Sequence, residues 1–288
     1  MNLKMRSLDL PFPSRMKQCG WIAIAVGAFL LLSVRASAQS DTIRSNRAIT
    51  NVQMVGLGYT NILDTYLSPE EYSGEEIRYI SHTTREKKGS HLSQQIVHCG
   101  NMAYTNNRAG KGGEISGLYT FEYGYHYNWQ FLGGKLQVKA GAVADANLGF
   151  IYNTRNGNNP FQARVSLNIL PSGAATYRFH IRQVPIAVGY ELGIPFIGVM
   201  FSPNYGQSYY EIFSRGNYDH NVVITTPSET PSLRQMLTLD VTFGKSTWRV
   251  GYLGDYDQAK ANSLKRHVYT HALLIGFVRH FQIIKIRP

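Results

Sequence analysis

Residues 114–131 alternate between two chemical classes along their whole length. The even positions are mostly polar or small, whereas the odd positions are Ile115, Gly117, Tyr119, Phe121, Tyr123, Tyr125, Tyr127, Trp129 and Phe131. Successive side chains of a β-strand point to opposite faces, so this period of two predicts one long strand with a polar and an aromatic face. At roughly 3.3 Å per residue, the strand would extend about 60 Å, which is unusual for a soluble domain. The stretch therefore predicts a membrane-crossing strand of a closed barrel.

The N-terminus has the parts of a secretory signal peptide. Basic residues precede an uncharged, largely apolar run over residues 21–34, and Ala36 and Ala38 supply small residues before the cleavage point. The apolar run is shorter than the roughly 20 residues that a spanning helix needs. We therefore predict a cleaved signal peptide over residues 1–38 and a single domain over residues 39–288.

Charge and cysteine content narrow the class of this domain. Residues 1–38 hold five of the 29 Lys and Arg residues and one of the 18 Asp and Glu residues, so the remaining chain carries a net charge of +7. Its basic residues are dispersed singly, which argues against a nucleic-acid partner. Cys99 is its single cysteine, so it has no internal disulfide. An exported chain without a disulfide or a long apolar run fits an outer-membrane barrel.

The same alternation and the turn signals predict ten strands. We place them at 49–60, 75–86, 90–106, 114–131, 135–150, 161–182, 186–200, 232–243, 247–257 and 265–281. Short connections alternate with long ones, as in barrels that have short periplasmic turns and long outer loops. The prediction is an all-β fold, a transmembrane antiparallel up-and-down β-barrel of about ten strands.

The strand at 161–182 decides the strand count. Pro171, Ser172 and Gly173 resemble a turn, but apolar residues keep to odd positions on both sides of them. One continuous strand explains this unbroken phase more simply than two strands. A real turn at Pro171 would give twelve strands, with the additional one taken from residues 208–226.

Charged residues collect on the polar strand faces. A Lys or Arg facing lipid costs about 2–4 kcal/mol at mid-bilayer, so these side chains are expected in the lumen. The predicted lumen charge network comprises Glu114, Glu122, His126, Lys135, Lys139, Asp145, Arg164, Arg178 and Arg182. Because a ten-stranded barrel is narrow, charges of both signs should neutralise one another and fill it. A conducting pore remains the alternative.

Two short patterns resemble enzyme sites. His91 and Ser93, with Asn101 or Asn106, are similar to the Ser-His-Asn sets of outer-membrane phospholipases. Asp255 and Asp257, with Asp219 and His220, are similar to the carboxylate and Asp/His pairs of omptin proteases. The spacing is loose in the first pattern, and two members of the second are adjacent in sequence. We therefore assign no catalytic residues, metal site or cofactor.

The long loop at 201–231 is the candidate binding surface. Its aromatic and charged residues include Tyr205, Tyr209, Tyr210, Tyr218, Asp219 and His220. Amphipathic rings can stack on sugars or lie at the level of lipid head groups. The alternative, which we favour, is a loop that folds over its own barrel mouth.

Four blocks carry a resemblance to a known family. Residues 58–69, 201–213, 216–220 and 234–240 resemble an uncharacterised family of Bacteroides-type outer-membrane proteins. The similarity covers nearly all of the chain after residue 38. It implies an outer-membrane setting and brings no catalytic residues.

We predict a monomeric barrel in the outer membrane of a Gram-negative bacterium, with a surface-binding or structural role. Its expected partners are outer-membrane lipid, the assembly machinery that reads an aromatic C-terminal strand, and a surface glycan or lipid head group. A small-solute channel or transporter and an outer-membrane hydrolase are the alternatives.

Overall fold

The computed structural model describes residues 44–87 and 89–284, so the predicted signal peptide lies outside the described residues. Their strands are β1 (Arg44–Asp64), β2 (Tyr72–Lys87), β3 (Leu92–Asn107), β4 (Gly113–Phe131), β5 (Leu136–Asn153), β6 (Phe161–Ile181), β7 (Val184–Gly193), β8 (Ile197–Phe201), β9 (Val222–Thr225), β10 (Leu233–Phe243), β11 (Ser246–Ala261) and β12 (Leu264–Ile284). A short helix, α1 (Tyr209–Phe213), lies between β8 and β9. No described helix has the length and apolar character needed to cross a bilayer.

Ten of these strands close into an antiparallel barrel. β1 to β7 pair in sequence order, β7 pairs with β10, and β10, β11 and β12 follow in order. β12 then pairs with β1 over a long ladder that includes Val52 opposite Val278 and Leu57 opposite Leu273. The predicted ten-stranded barrel is confirmed. We call the end of the barrel that carries the long connections the upper end. β8 and β9 are two further strands there, since β8 pairs with β6 near Phe161 and β9 pairs with β8.

β6 is one continuous strand. Its ladder with β5 runs through Ala142 opposite Pro171 without a shift of register. The carbonyl oxygen of Pro171 accepts a hydrogen bond from the backbone N–H of Ile194 at 3.2 Å. Proline has no backbone N–H, so the strand forgoes one ladder hydrogen bond here and keeps its course. The twelve-strand alternative is wrong in placing a turn at Pro171, although its extra strand from 208–226 does correspond to β9.

The seventh predicted strand, by contrast, is divided. β7 ends at Gly193, Pro195 lies in the break, and β8 continues along β6. The neighbouring antiparallel strand is also interrupted at this level, so that β9 pairs with β8 and β10 pairs with β7. We call residues 226–232, which separate β9 from β10, the seam. Two backbone N–H groups of β11 hold it, since Lys260 donates to the Glu229 carbonyl at 2.8 Å and Gln258 donates to Ser232 Oγ at 3.0 Å.

The two faces of β4 separate as the sequence predicts. Glu114, Glu122 and His126 are buried inside the barrel. The rings of Tyr125 and Trp129 are 52% and 41% exposed on the outer wall. The polar set of the alternating pattern thus faces the lumen, and the aromatic set faces outward.

Part of the lumen is apolar, which the sequence prediction of a charged interior does not include. A cluster of buried residues from β1, β2, β3, β10, β11 and β12 fills its lower half: Val52, Met54, Ile80, Val97, Cys99, Met236, Leu253, Ala272, Leu274 and Val278. β1 and β12 carry apolar residues on both faces, as Leu273, Leu274 and Ile275 illustrate. Alternation therefore gives no signal for which of their residues point inward.

Close packing of the barrel wall predicts a position-dependent cost of adding one methyl group. A Cβ at Gly276 would overlap the carbonyl oxygen of Gln53 and lie 2.7 Å from Met54 Cα, whereas a Cβ at Gly100 would meet no described atom within 4 Å. Gly276→Ala should lower the free energy of unfolding by about 1–3 kcal/mol. The matched Gly100→Ala should change it by less than about 0.5 kcal/mol. Urea unfolding in lipid vesicles measures both, and equal costs would contradict this packing.

Candidate functional site

An ion-pair ladder crosses the lumen at mid-height. Arg78 Nε donates to Glu76 Oε1 at 2.7 Å, and Arg78 Nη1 donates to Asp255 Oδ2 at 2.7 Å. Arg234 Nε donates to Asp255 Oδ1 at 3.4 Å, and Arg234 Nη1 donates to Glu122 Oε1. These five residues, which we call the partition, come from β2, β11, β10 and β4. Because β4 and β10 lie on nearly opposite sides of the ring, the ladder joins walls that no backbone hydrogen bond connects.

The Arg78–Glu76 end of the partition is buried and well satisfied, whereas the side chains of Arg234 and Asp255 are 25% and 15% exposed. The side chains of Arg78 and Glu76 are 3% and 1% exposed. Glu76 Oε2 accepts further hydrogen bonds from Asn101 Nδ2 at 2.7 Å and from Thr270 Oγ1 at 3.0 Å. Buried charges persist only where opposite charges and hydrogen bonds compensate their lost hydration. The partition therefore links the strands across the lumen, and removing any one of its side chains should lower the free energy of unfolding.

The predicted lumen residues are distributed over the whole barrel height. Glu122 lies in the partition, and Glu114 is buried at the upper end of β4, where its Oε1 accepts from Asn153 Nδ2 at 2.9 Å. Asp145 accepts from Asn168 Nδ2 at 3.1 Å and also from Asn147. Their partners are thus mainly amides, or an arginine of β10, and not the arginines of β6.

Other predicted residues lie near the lower mouth. His126 Nε2 is 2.6 Å from Ser172 Oγ, Lys139 Nζ is 2.7 Å from Glu86 Oε1, and Arg178 donates to Gln137 at 2.9 Å from an exposed position. Lys135 and Arg182 lie in exposed hairpin turns and not in the lumen, because β5 begins after Lys135 and β6 ends before Arg182. The predicted placement of Lys135 and Arg182 in the lumen network is therefore wrong.

The lumen charge network predicted from the sequence does not include Arg78 or Glu76. A usable signal was present, because opposite charges at Glu76 and Arg78 are two residues apart on one strand and share a face. Their connection to Asp255 carries no such local signal. It depends on how the strands stagger around the ring.

Three cavities lie in line along the lumen, which we call the upper, middle and lower cavities. Their volumes are about 80, 60 and 130 Å³. Arg78 and Arg234 line both the upper and the middle cavity, so the partition separates the two. His82 and Glu191 line both the middle and the lower cavity.

A second seal closes the barrel above the upper cavity. Leu67, from the loop between β1 and β2, is buried against Ile62, Ile151 and Val268. Because Ile62 and Ile151 lie on β1 and β5, this apolar contact also reaches across the lumen. We call these four residues the upper seal.

The long loop is folded onto this end of the barrel. Tyr209 Oη donates to Gln162 Oε1 at 2.8 Å and accepts from the Ala163 N–H at 2.7 Å, and Tyr66 Oη donates to the Gln207 carbonyl at 2.9 Å. Burial raises the pKa of Tyr209 and raises the pKa of Tyr66 to about 12, so both hydroxyls stay protonated donors at neutral pH. The geometry matches the alternative in which the loop lies over its own barrel mouth.

The remaining candidate loop residues face outward. Tyr205, Tyr210 and Tyr218 are between 62% and 76% exposed. Asp219 and His220 pair with each other at 2.5 Å in an exposed turn. Tyr209 differs from these five, because its hydroxyl is used to hold the loop to the barrel. The exposed rings form a surface that is open to an external partner.

Neither enzyme-like pattern forms an activated nucleophile. Ser93 Oγ donates to Asn128 Oδ1 at 3.1 Å, and the His91 ring contacts the Asn128 carbonyl and not Ser93. Asp257 is bound by Arg164 at 2.8 Å, whereas the Asp219–His220 pair lies in the loop. Nucleophilic catalysis needs the nucleophile and its base in hydrogen-bond contact. Within residues 44–87 and 89–284, no three metal-binding side chains group together.

A closed antiparallel ring of ten strands, apolar outside and ion-paired inside, defines a transmembrane up-and-down β-barrel. Residues 24–288 match the family described as "Protein of unknown function (DUF3316)", and the chain belongs to that family. No curated protein sequence matches the chain.

Several solved structures are similar in backbone arrangement. The outer membrane protease OmpT from Escherichia coli has a TM-score of 0.43 and 6% identity, covering 85% of this chain and 100% of OmpT. The transport unit of the autotransporter AIDA-I from Escherichia coli has a TM-score of 0.40 and 7% identity, covering 92% and 99%. An outer membrane channel from Pseudomonas putida F1 has a TM-score of 0.38 and 10% identity, covering 86% and 100%. At these TM-scores we draw no functional conclusion from the similarities.

Burial of the partition predicts a large stability cost when one member is removed. Arg78→Met should lower the free energy of unfolding by about 3–5 kcal/mol, because it leaves Glu76 buried without its cation. Lys139→Met removes the same charge from a more exposed pair and should cost less than about 1 kcal/mol. Urea titration of both variants in vesicles measures the difference. Equal midpoints would contradict a structural role of the partition.

Proposed function

We propose that the protein is an outer-membrane β-barrel of a Gram-negative bacterium whose lumen is closed, with a structural or surface-binding role. The apolar outer wall supports the membrane location. Leu57, Leu148 and Leu273 are each more than 60% exposed on that wall, a large penalty in water that lipid removes. The signal peptide and the Bacteroides-type origin stay predictions from the sequence.

The partition is the main observation that supports a closed lumen. It crosses between opposite walls with buried charges of both signs, and the upper seal closes the barrel a second time toward the loop end. A solute passing through would have to separate Arg78 from Asp255, or Arg234 from Glu122. Separating a buried ion pair costs several kcal/mol, so the closed state should dominate.

The exposed loop rings support the surface-binding part of the proposal. Tyr205, Tyr210 and Tyr218 face outward, and Arg215 lies 5.5 Å from the centre of the Tyr210 ring. Aromatic faces beside a guanidinium suit a glycan or a lipid head group. We also expect the barrel to be monomeric and to contact outer-membrane lipid. The assembly machinery is its expected partner during insertion.

A small-solute channel is the second candidate, and the aligned cavities favour it. Three separate spaces already occupy the lumen, and neighbouring spaces share lining residues. Rearrangement of the partition would join the upper and middle cavities. An enzymatic role has no comparable support, because Ser93 and Asp257 bind other partners.

Planar-bilayer recording separates the two candidates. The purified barrel should insert without discrete current steps, because both seals are closed. Leu67→Ala combined with Arg78→Ala and Arg234→Ala should produce steps, since it removes side chains from both seals. Steps from the unmodified protein would contradict the closed lumen and support the channel.

A matched triple variant controls for the number and type of substitutions. Leu57→Ala, Arg178→Ala and Arg249→Ala change the same residue types at positions outside both seals. This variant should remain silent in the same recording. Current steps of equal size from both triple variants would show that the seals do not control conduction.

A further inference from the structure

The outer wall of the barrel has an elongated groove, which we call the wall groove. Nine outward-facing positions on β1 to β5 form it in two neighbouring rows across the strands: Val55, Tyr79, Gly100, Tyr119 and Leu148 in one row, and Ile77, Met102, Gly117 and Phe150 in the next. Its volume is about 470 Å³, which is larger than each of the three lumen cavities. The wall groove therefore lies on the face of the barrel that is opposite to the lumen.

A glycine at position 100 opens the floor of the wall groove. Its partners in the two adjacent ladders are Tyr79 and Tyr119, and a Cβ added to Gly100 would meet no described atom within 4 Å. Gly100 is not among the glycines with a positive φ, so its backbone conformation does not require glycine. Glycine inside a strand weakens the strand, and such a position often marks the close approach of a ligand. Neither the backbone nor the packing needs a glycine here, which favours an occupant from outside the wall.

The lining of the wall groove is almost entirely apolar. Arg78 and Asn101 contribute to it only through their backbone, because their side chains bind Glu76 inside the lumen. The hydroxyl of Tyr119 is already bonded to His98 Nδ1 at 2.7 Å. A charged occupant would therefore meet no opposite charge in the groove, and its lost hydration would not be compensated.

The shape of the wall groove suits a long, narrow occupant. It crosses five strands but is only two rows of side chains wide. At about 4.8 Å between neighbouring strands, five strands span roughly 19 Å. The hydrocarbon core of a bilayer is about 30 Å thick, so the chains of one leaflet extend over about 15 Å. An acyl chain of an ordinary membrane lipid therefore has the length to fill the groove.

We propose that the wall groove binds one acyl chain of a membrane lipid in preference to the rest of the outer wall. The proposal rests on the membrane location in the proposed function, because only a wall that faces lipid meets acyl chains. Leu148 lies in the groove and Leu57 lies beside it, opposite Ile77, so the groove is continuous with the wall that supports this location.

Packing, and not the hydrophobic effect, gives the groove its preference. Lipid tails are as apolar as leucine, so moving a chain from lipid onto the wall removes no apolar surface from water. A chain in a concave groove gains dispersion contacts on several sides, whereas a chain on the flat wall gains them on one side. The expected preference is therefore modest, at about fivefold.

Photolabelling in vesicles tests the site. The barrel is inserted into dioleoyl phosphatidylglycerol vesicles that contain a small fraction of phosphatidylcholine with a diazirine on one acyl chain, and peptide mass spectrometry maps the labelled residues. Leu239 and Val250, which pair on the outer wall of β10 and β11, serve as the reference. Labelling of the wall groove should exceed labelling of this reference by about fivefold.

Two glycine variants form a matched pair. Gly100→Phe places a ring in the floor of the groove and should reduce groove labelling to about the level of the reference, since the ring takes the place of the chain. Gly173→Phe adds the same ring at an outward position of β6, where a Cβ would meet only the Lys139 carbonyl oxygen at 3.6 Å. This control should leave groove labelling unchanged.

The labelling map of the unmodified protein decides the question even if a variant does not fold. Uniform labelling of the outer wall would overturn the acyl-chain site and leave the membrane location intact, whereas an unlabelled outer wall would contradict the membrane location itself. Groove labelling below the reference would show that protein, such as a second copy of the chain, covers the groove, and it would also overturn the proposal. Equal groove labelling of the Gly100 and Gly173 variants would do the same.

Discussion

A charge inside a narrow barrel has to meet an opposite charge there, and the organisation of this lumen depends on that requirement. Arg78 and Arg234 point inward because the outer wall faces an apolar medium. Once inside, Arg78 is too deeply buried to remain unpaired, and it binds carboxylates on β2 and β11. Arg234, whose side chain is 25% exposed, binds carboxylates on β4 and β11. The strands are thereby tied across the lumen as well as along their backbone ladders.

The closed lumen follows from two kinds of contact at different heights. At mid-height the contact is ionic, and near the loop end it is apolar, through Leu67 between Ile62 and Ile151. The upper cavity between these two contacts is lined by Arg164 and Arg266, which both pair with Asp257.

The sequence is sufficient for the barrel and its strand count, because β4 alternates along nearly its whole length and β6 keeps its phase through Pro171. It is not sufficient for the division at Pro195, where β7 and β8 both remain apolar and the break depends on which strand pairs alongside. Placement of charges inside the lumen is also predictable from strand faces. The identity of their partners is not, because Glu122 meets Arg234 only through the curvature and stagger of the closed ring.

The contact between Glu122 and Arg234 tests this account most directly, because it joins β4 to β10 across the lumen. A double-mutant cycle with Glu122→Gln and Arg234→Met, measured by urea unfolding in lipid vesicles, gives their coupling energy. We expect a coupling of at least about 1.5 kcal/mol, in the range found for close charge pairs. Additivity within about 0.3–0.5 kcal/mol would contradict a partition that ties opposite walls together.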